Sequence, residues 1–236
     1  MAAADDTGPA RRDPTHDAPC AVLFDLDGVL VDSTAIHEQV WAEFLEARRL
    51  PVPAGGIRSL FGRPGIEVLS EILGLPADSP EVGRVLTQLE ERVEALVAER
   101  HPDGLLVDGA AALVLALAGR CRLAVVTSLR RHIATARLGD LREAFDVIVT
   151  ADDVARGKPD PEAYLTAANR LGVAPTDCVV VEDAVAGVTA AKAAGATVVA
   201  VRSTAPEAAL RDAGADTVIE HVTDLLEVLD GKDRDG

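Results

Sequence analysis

The strongest constraint on the fold is the alternation of short apolar runs with helical patterns from about residue 106 onward. The apolar runs that predict strands are 122–127, 145–149, 178–181, 197–201 and 217–219. The segments that predict helices are about 109–118, 130–138, 161–171, 184–194 and 206–213. Strands that alternate with helices in this way predict an α/β fold with a doubly wound parallel sheet.

One further strand pattern lies far from the others in the sequence. The run Ala21-Val22-Leu23-Phe24, directly before Asp25, is typical of a buried parallel strand. The chain that follows shows only helical patterns, at about 33–49, 64–73 and 79–100. We therefore expect a Rossmann-like core made of 20–33 and 106–230, with an all-helical cap domain inserted at 34–105.

The two ends of the chain differ from the rest in composition. Residues 1–19 contain three prolines and almost no apolar side chains, which predicts a disordered leader without the apolar segment of a secretory signal. Residues 231–236 are mostly charged or Gly and predict a flexible tail.

Charge and composition exclude several kinds of partner. With 23 basic and 39 acidic residues the net charge is −16, which repels nucleic acids and anionic membrane surfaces. No apolar run reaches the roughly 20 residues that a membrane span needs. The three cysteines show no CxxC spacing, so the sequence indicates neither a disulfide framework nor a zinc site made of cysteines. We expect a cytoplasmic protein that is a monomer, with a dimer as the alternative.

Acidic residues follow the first predicted strand. Asp25 and Asp27 are two positions apart, so in an extended chain both carboxylates face the same crevice. Gly28 then permits a sharp turn of the backbone. A solvated turn would explain the same residues, but ligands of open α/β sheets bind at the carboxyl ends of the strands.

A second acidic pair, Glu182-Asp183, follows the apolar run 178–181. Asp183 could simply cap the next helix, but capping does not explain two adjacent acids. If the two strands are neighbours, up to four carboxylates converge, and they need a cation to stay ionised together. Oxygen ligands without His or Cys select Mg²⁺.

Two other strand ends carry groups suited to phosphate. Thr127 and Ser128 end the strand at 122–127, where hydroxyls can donate to a phosphate oxygen or cap a helix. Lys158 lies in a loop between Gly157 and Pro159, in a chain with three lysines among its 23 basic residues. A lysine where arginine is the usual choice indicates a compact point charge, although a surface lysine is the plain alternative.

These strand ends, taken in order, resemble the four motifs of the haloacid dehalogenase-like hydrolase superfamily. The matching segments are Asp25-Leu26-Asp27-Gly28-Val29-Leu30-Val31-Asp32-Ser33, Val125-Val126-Thr127, Gly157-Lys158-Pro159-Asp160-Pro161 and Val180-Val181-Glu182-Asp183-Ala184-Val185-Ala186-Gly187. The resemblance covers about 21–230. The helical insertion resembles the α-helical cap of the subgroup with β-phosphoglucomutases, phosphoglycolate phosphatases and sugar phosphatases.

The resemblance implies a role for each motif residue. Asp25 would be the nucleophile on phosphorus, and Asp27 the general acid and base. Mg²⁺ would be held by Asp25, the Asp27 carbonyl and Asp183, with Glu182 as a more distant or water-mediated partner. Phosphoryl oxygens would be held by Thr127, Ser128 and Lys158. Relatives that are dehalogenases lack the second aspartate, so Asp27 favours phosphate chemistry.

Two residues of the predicted cap are candidate substrate contacts. His37 lies 12 residues after Asp25, beside the apolar stripe of its helix, where related caps often carry a histidine. Arg63 follows Gly62 in a predicted loop and could contact a polar substrate. A surface histidine and a loop arginine are the plain alternatives.

The favoured function is a Mg²⁺-dependent phosphatase of a small phosphate monoester, a sugar or polyol phosphate. A β-phosphoglucomutase-type mutase is the first alternative, and His37 favours it. Two residues count against it. The resemblance to such mutases implies a serine at the position of Leu129 and a cap arginine at the position of Gly65. Phosphoglycolate phosphatase is the second alternative. A catalytically dead binding module would have lost Asp25, Asp27 or Lys158.

Overall fold

A computed structural model describes residues 21–101 and 104–231. The leader predicted for 1–19 lies outside this part, as does the tail predicted for 231–236 apart from Gly231. The strands are β1 (Ala21–Phe24), β2 (Arg122–Val126), β3 (Val147–Val149), β4 (Cys178–Glu182), β5 (Thr197–Val201) and β6 (Thr217–Ile219). The helices are α1 (Thr34–Ala47), α2 (Gly65–Leu73), α3 (Pro80–Arg100), α4 (Ala110–Leu117), α5 (Arg131–Leu138), α6 (Glu162–Leu171), α7 (Val185–Ala194), α8 (Glu207–Asp212) and α9 (Leu225–Leu229).

In the described part of the chain, the strands form one six-stranded sheet in the order β3-β2-β1-β4-β5-β6. All neighbouring strands are parallel. β1 is central, with Phe24 in register with Val125 of β2 and Val181 of β4. The expected doubly wound α/β sheet is confirmed, and its order places the ends of β1, β2 and β4 side by side.

Side chains of each strand point alternately to two apolar layers. Val22 and Phe24 belong to a cluster with α4, α5 and α9, whereas Ala21 and Leu23 belong to a cluster with α6, α7 and α8. The central strands are therefore buried on both faces, which is why they read as continuous apolar runs rather than as alternating ones.

Helices α1 to α3 surround a third apolar cluster. Its buried members are Trp41, Phe44, Leu45, Leu60, Val68, Leu69, Val82 and Val85. We call residues 34–101 the helical lobe. At its base, Ile36 and Val40 of α1 and Val93 of α3 join the apolar layer of the sheet. The lobe thus rests on the core close to the end of β1.

The starts and ends of the lobe helices follow from local residues. α2 stops at Gly74, which adopts a left-handed conformation with φ 65°. α3 begins after Ser79, whose side chain accepts a hydrogen bond from the Glu81 N–H, with Pro80 in the first turn. Within 21–101 and 104–231, no helix has both the length and the apolar character needed to cross a membrane.

Two elements differ from the sequence prediction. β3 begins at Val147 rather than 145, because a 3₁₀ helix occupies Gly139–Ala144 and Phe145 is its C-cap. α9 was not predicted; Leu225 on this short helix packs into the same apolar layer as α4.

Candidate active site

Asp25 lies at the carboxyl end of β1, where its backbone N–H continues the sheet by donating to the Val181 carbonyl at 2.9 Å. The chain then turns sharply through Gly28, which has φ +82°. Asp27, just before this turn, lies at the same opening, where its Oδ1 accepts a hydrogen bond from Ser33 Oγ at 2.5 Å. Both carboxylates line one cavity, as the sequence pattern predicts.

Glu182 ends β4 and is completely buried. Its Oε1 accepts hydrogen bonds from Lys158 Nζ at 2.6 Å and from the Tyr164 hydroxyl at 2.7 Å. Its Oε2 accepts from the backbone N–H groups of Asp183 and Ala184, at 2.9 and 3.2 Å. Four donors therefore fix this carboxylate in one orientation.

Lys158 places a buried cation beneath the nucleophile candidate. Its Nζ donates to Asp25 Oδ1 at 2.5 Å, to Glu182 Oε1 and to the Val126 carbonyl at 3.1 Å. The side chain is 1% exposed. An ammonium group has three protons, so all three are engaged in this arrangement. Lys158 and Glu182 lie behind the wall of the cavity, whereas Asp25 and Asp183 line it.

Three carboxylates converge at this point. Asp25, Glu182 and Asp183 each offer an oxygen, and these atoms lie within 4.8 Å of one another. Burial raises the pKa of Asp25 well above its usual value, although Lys158 opposes the shift. Burial, together with Glu182, raises the pKa of Asp183 to about 7. One lysine does not balance three buried acids, so the cluster favours a bound cation.

Asp27 is paired with a residue that the sequence analysis did not identify. Arg137 of α5 donates through Nη1 to Asp27 Oδ1 and through Nη2 to Glu94 Oε1 of α3, the second at 2.8 Å. Burial would raise the pKa of Asp27, but Arg137 and His37 lower it below its usual value. His37 Nε2 lies 3.3 Å from Arg137 Nη1, so this nitrogen is the acceptor.

The cavity between the sheet edge and the helical lobe has a volume of about 130 Å³. Polar groups lie on the sheet side, and much of the opposite wall is apolar. The apolar residues on the lobe side are Val40, Trp41, Leu60, Phe61, Val68, Leu86, Leu89 and Val93. Such a cavity, mostly apolar with a few convergent polar groups, is typical of a site for a small molecule.

The remaining sequence candidates also line this cavity. Thr127 is buried at the end of β2, and its Oγ1 accepts from the Leu129 N–H at 3.2 Å. Ser128 Oγ donates to the Gly62 carbonyl of the lobe at 2.8 Å. Arg63 forms a bidentate ion pair with Glu71: Nη1 donates to Oε2 at 3.0 Å and Nη2 donates to Oε1 at 2.5 Å. Each of these residues therefore already has a protein partner.

Sequence reasoning missed Arg137 and Tyr164. A signal for Arg137 existed: Ile133, Ala134 and Leu138 are the buried residues of α5, and position 137 falls on the same face. An arginine on an apolar face indicates a buried partner. Tyr164 lies on the buried face of α6 and looks like an ordinary core residue until its contact with Glu182 is known.

Comparison with known proteins gives consistent matches. A family model described as haloacid dehalogenase-like hydrolase matches residues 21–195. The chain is 38% identical over 207 residues to validoxylamine A 7'-phosphate phosphatase of Streptomyces hygroscopicus subsp. limoneus, covering 86% of this chain and 94% of that protein. It is 34% identical over 183 residues to a fructose-1-phosphate phosphatase of Escherichia coli (strain K12), covering 77% and 95%.

A solved structure matches over nearly the whole chain. β-Phosphoglucomutase from Clostridium difficile has a TM-score of 0.76 and 25% identity, covering 91% of this chain and 96% of that one. The family match itself spans Asp25, Lys158 and Asp183.

Proposed function

Because the chain belongs to the haloacid dehalogenase-like hydrolase family, we propose that it is a Mg²⁺-dependent phosphatase of a phosphorylated sugar or polyol. The observation that carries the proposal is the position of Asp25, which lines the cavity while Lys158 binds it from behind at 2.5 Å. Relatives named for phosphorylated carbohydrates support the substrate class.

The donor set fits Mg²⁺. The side chains that converge are carboxylates, which are hard oxygen ligands. In our proposal Asp25, Asp183 and the Asp27 carbonyl hold the ion, and Glu182 supports them through Lys158 and the Asp183 N–H. When bound, the ion would neutralise charge on the phosphoryl group and on the acids around it.

In the first half of the proposed reaction, Asp25 is the nucleophile. Its carboxylate oxygen forms a bond to phosphorus while the bond from phosphorus to the ester oxygen breaks. Asp27 must carry a proton at this point, although Arg137 favours its ionised form, and it gives that proton to the departing oxygen. Lys158 favours the ionised form of Asp25, because a cation at hydrogen-bond distance opposes the rise in pKa that burial causes. Thr127 and Ser128 line the cavity, where they would hold phosphoryl oxygens, and Lys158 acts from behind through Asp25.

In the second half, Asp27 acts as the base. It accepts a proton from a water molecule whose oxygen bonds to phosphorus, and the bond between phosphorus and Asp25 breaks. Inorganic phosphate leaves, and both side chains return to their first state. The helical lobe excludes other water, and His37 and Arg63 contact the leaving group from the lobe side.

A mutase remains the alternative, because a β-phosphoglucomutase structure matches 91% of this chain and His37 lines the cavity. Leu129 and Gly65 favour hydrolysis over return of the phosphoryl group to a sugar. The cytoplasmic location and the monomeric state expected from the sequence stay predictions.

The test is phosphate release from a panel of sugar, polyol and short-acid phosphates, with Mg²⁺ and then with EDTA. We expect release that requires Mg²⁺ and favours sugar or polyol phosphates. Release that is unaffected by EDTA would contradict the role of the ion. No release, with turnover of β-glucose 1-phosphate in the presence of its bisphosphate primer, would identify a mutase.

A further inference from the structure

Arg137 is a buried arginine that bridges the core and the helical lobe. Its side chain is 3% exposed. Nη1 of the guanidinium donates to Asp27 and lies near His37 of α1, and Nη2 donates to Glu94 of α3. Its Nε is buried and has no hydrogen-bond partner among the described residues.

This placement is unfavourable for folding. An arginine pays a large desolvation penalty on burial, and an unsatisfied buried N–H adds to it. Its two acidic partners do not depend on it for solvation, since the side chains of Asp27 and Glu94 are 25% and 37% exposed. A straight apolar side chain would fill the same space on α5 without this penalty. Stability alone therefore does not explain the arginine.

The geometry points to a role in positioning: we infer that Arg137 holds the Asp27 carboxylate in place for proton transfer to the leaving group. Arg137 acts through Asp27 and does not line the cavity itself. The inference rests on the proposed function, because it assumes that Asp27 is the acid and base.

The hydrogen bonds to Asp27 are all on one side of its carboxylate. Ser33 Oγ and Arg137 Nη1 both donate to Oδ1. Within the described residues no donor is bound to Oδ2, and Asp27 lines the cavity. One oxygen is thus anchored while the other is available to exchange a proton with a substrate oxygen or water.

The planar guanidinium group of Arg137 is suited to positioning Asp27. Nη1 and Nη2 point to two carboxylates on different elements, so the position of Asp27 is tied to α3 through a single rigid group. A lysine side chain has a single ammonium nitrogen on a flexible chain. In Arg137→Lys it could bind Asp27, but it could not bind Glu94 at the same time. Partial rescue by Arg137→Lys is therefore expected, and no rescue by Arg137→Met.

Leaving-group chemistry gives a readout that a purely structural role would not change. An alkoxide leaving from a sugar phosphate needs a proton, whereas p-nitrophenolate leaves readily without one. General acids contribute roughly 10²- to 10⁴-fold. We expect Arg137→Met to lower kcat/KM about 30-fold or more for a sugar phosphate, and less than about threefold for p-nitrophenyl phosphate.

The experiment compares both substrates, with Mg²⁺ present, for the wild type, Arg137→Met, Arg137→Lys, Asp27→Asn and Arg130→Gln. Arg130 is the matched control: it also joins the start of α5 to α3, through Glu90 at 3.3 Å, but has no contact with Asp27. Urea unfolding of each variant is measured alongside.

The inference predicts that Arg137→Met, like Asp27→Asn, loses kcat/KM selectively for the sugar phosphate. It also predicts an unchanged or higher urea midpoint for Arg137→Met, a partial recovery in Arg137→Lys and an unchanged substrate ratio in Arg130→Gln. Equal loss on both substrates, or loss only in step with a lower urea midpoint, would overturn it while leaving the phosphatase intact. A wild type inactive on both substrates would overturn the proposed function, and the inference with it.

Discussion

Gly28 and Asp183 lie in close contact across the ends of β1 and β4. A Cβ atom added to Gly28 would lie 1.9 Å from Asp183 Oδ2 and 3.0 Å from Thr204 Oγ1. The hydroxyl of Ser203 binds both partners, donating to the Gly28 carbonyl at 2.6 Å and lying 3.1 Å from Asp183 Oδ2. The glycine is therefore needed for the position of the acid as well as for the turn.

Gly28→Ala should abolish turnover, because the new methyl group must displace the Asp183 carboxylate. Gly74→Ala is the matched control: it has a similar φ of +65° but no heavy atom within 4 Å of the added Cβ. In urea unfolding, the left-handed backbone at the substituted position should lower the free energy of unfolding of both variants by about 1 to 2 kcal/mol. Full activity of Gly28→Ala would show that Asp183 does not have to stay where the structure places it.

Mg²⁺ should raise the Tm of the wild type in a concentration-dependent way, since a cation that binds the native state alone stabilises it. Asp183→Asn removes one of the three converging carboxylates and should abolish both this rise and turnover. Calorimetry with and without EDTA measures the effect. If Asp183→Asn kept the Mg²⁺-dependent rise in Tm, the ion would bind elsewhere.

Lys158→Met should lower kcat about a thousandfold or more, because it removes the cation beside Asp25. It should also lower the free energy of unfolding by about 3 to 5 kcal/mol in EDTA, because Asp25 and Glu182 remain buried without their counter-ion. Lys192→Met serves as the control: its ion pair with Asp216 is on the surface and contributes about 1 kcal/mol or less. A loss of kcat below tenfold would remove Lys158 from the site.

Asp153 should give a pH-dependent contribution to stability. Burial would raise its pKa, but hydrogen bonds from Thr150, Arg170 and Arg131 lower it to about 2. A lowered pKa stabilises the fold above the unfolded value of 3.8, and this contribution disappears as the pH falls toward 2. Asp153→Asn should therefore lower the urea midpoint at pH 7.

The difference between Asp153→Asn and the wild type should shrink steadily between pH 4 and pH 2. Asp212→Asn, at an exposed position on α8, is measured alongside as the control for removal of a surface carboxylate. A difference that stays constant over this range would mean that the Asp153 charge does not carry the effect.

The sequence predicted the sheet and the position of each acid because both depend on local patterns. Apolar runs identify buried strands, and residues after parallel strands meet at one edge. Asp25, Glu182 and Asp183 were expected at that edge, and the structure places their oxygens within 4.8 Å. The roles assigned to them, and to Thr127, Ser128 and Lys158, stay predictions.

The contacts that the sequence did not predict join distant parts of the chain. Arg137 and Asp27 are 110 positions apart, and Ser128 meets the Gly62 carbonyl across 66 positions. Such pairs depend on how the helical lobe sits on the core, and no local periodicity encodes that. The three acceptors of Lys158 likewise come from β1, β2 and β4 and meet only once the sheet order is known.

The most direct test of the account asks whether Asp25 becomes phosphorylated. A labelled sugar phosphate that the enzyme turns over is mixed with Mg²⁺-loaded protein, quenched in acid within a turnover and digested for mass spectrometry. We predict a phosphorylated peptide that contains Asp25 in the wild type and none in Asp25→Asn, which should fold but not turn over. Turnover by Asp25→Asn, or label on another residue, would contradict the account.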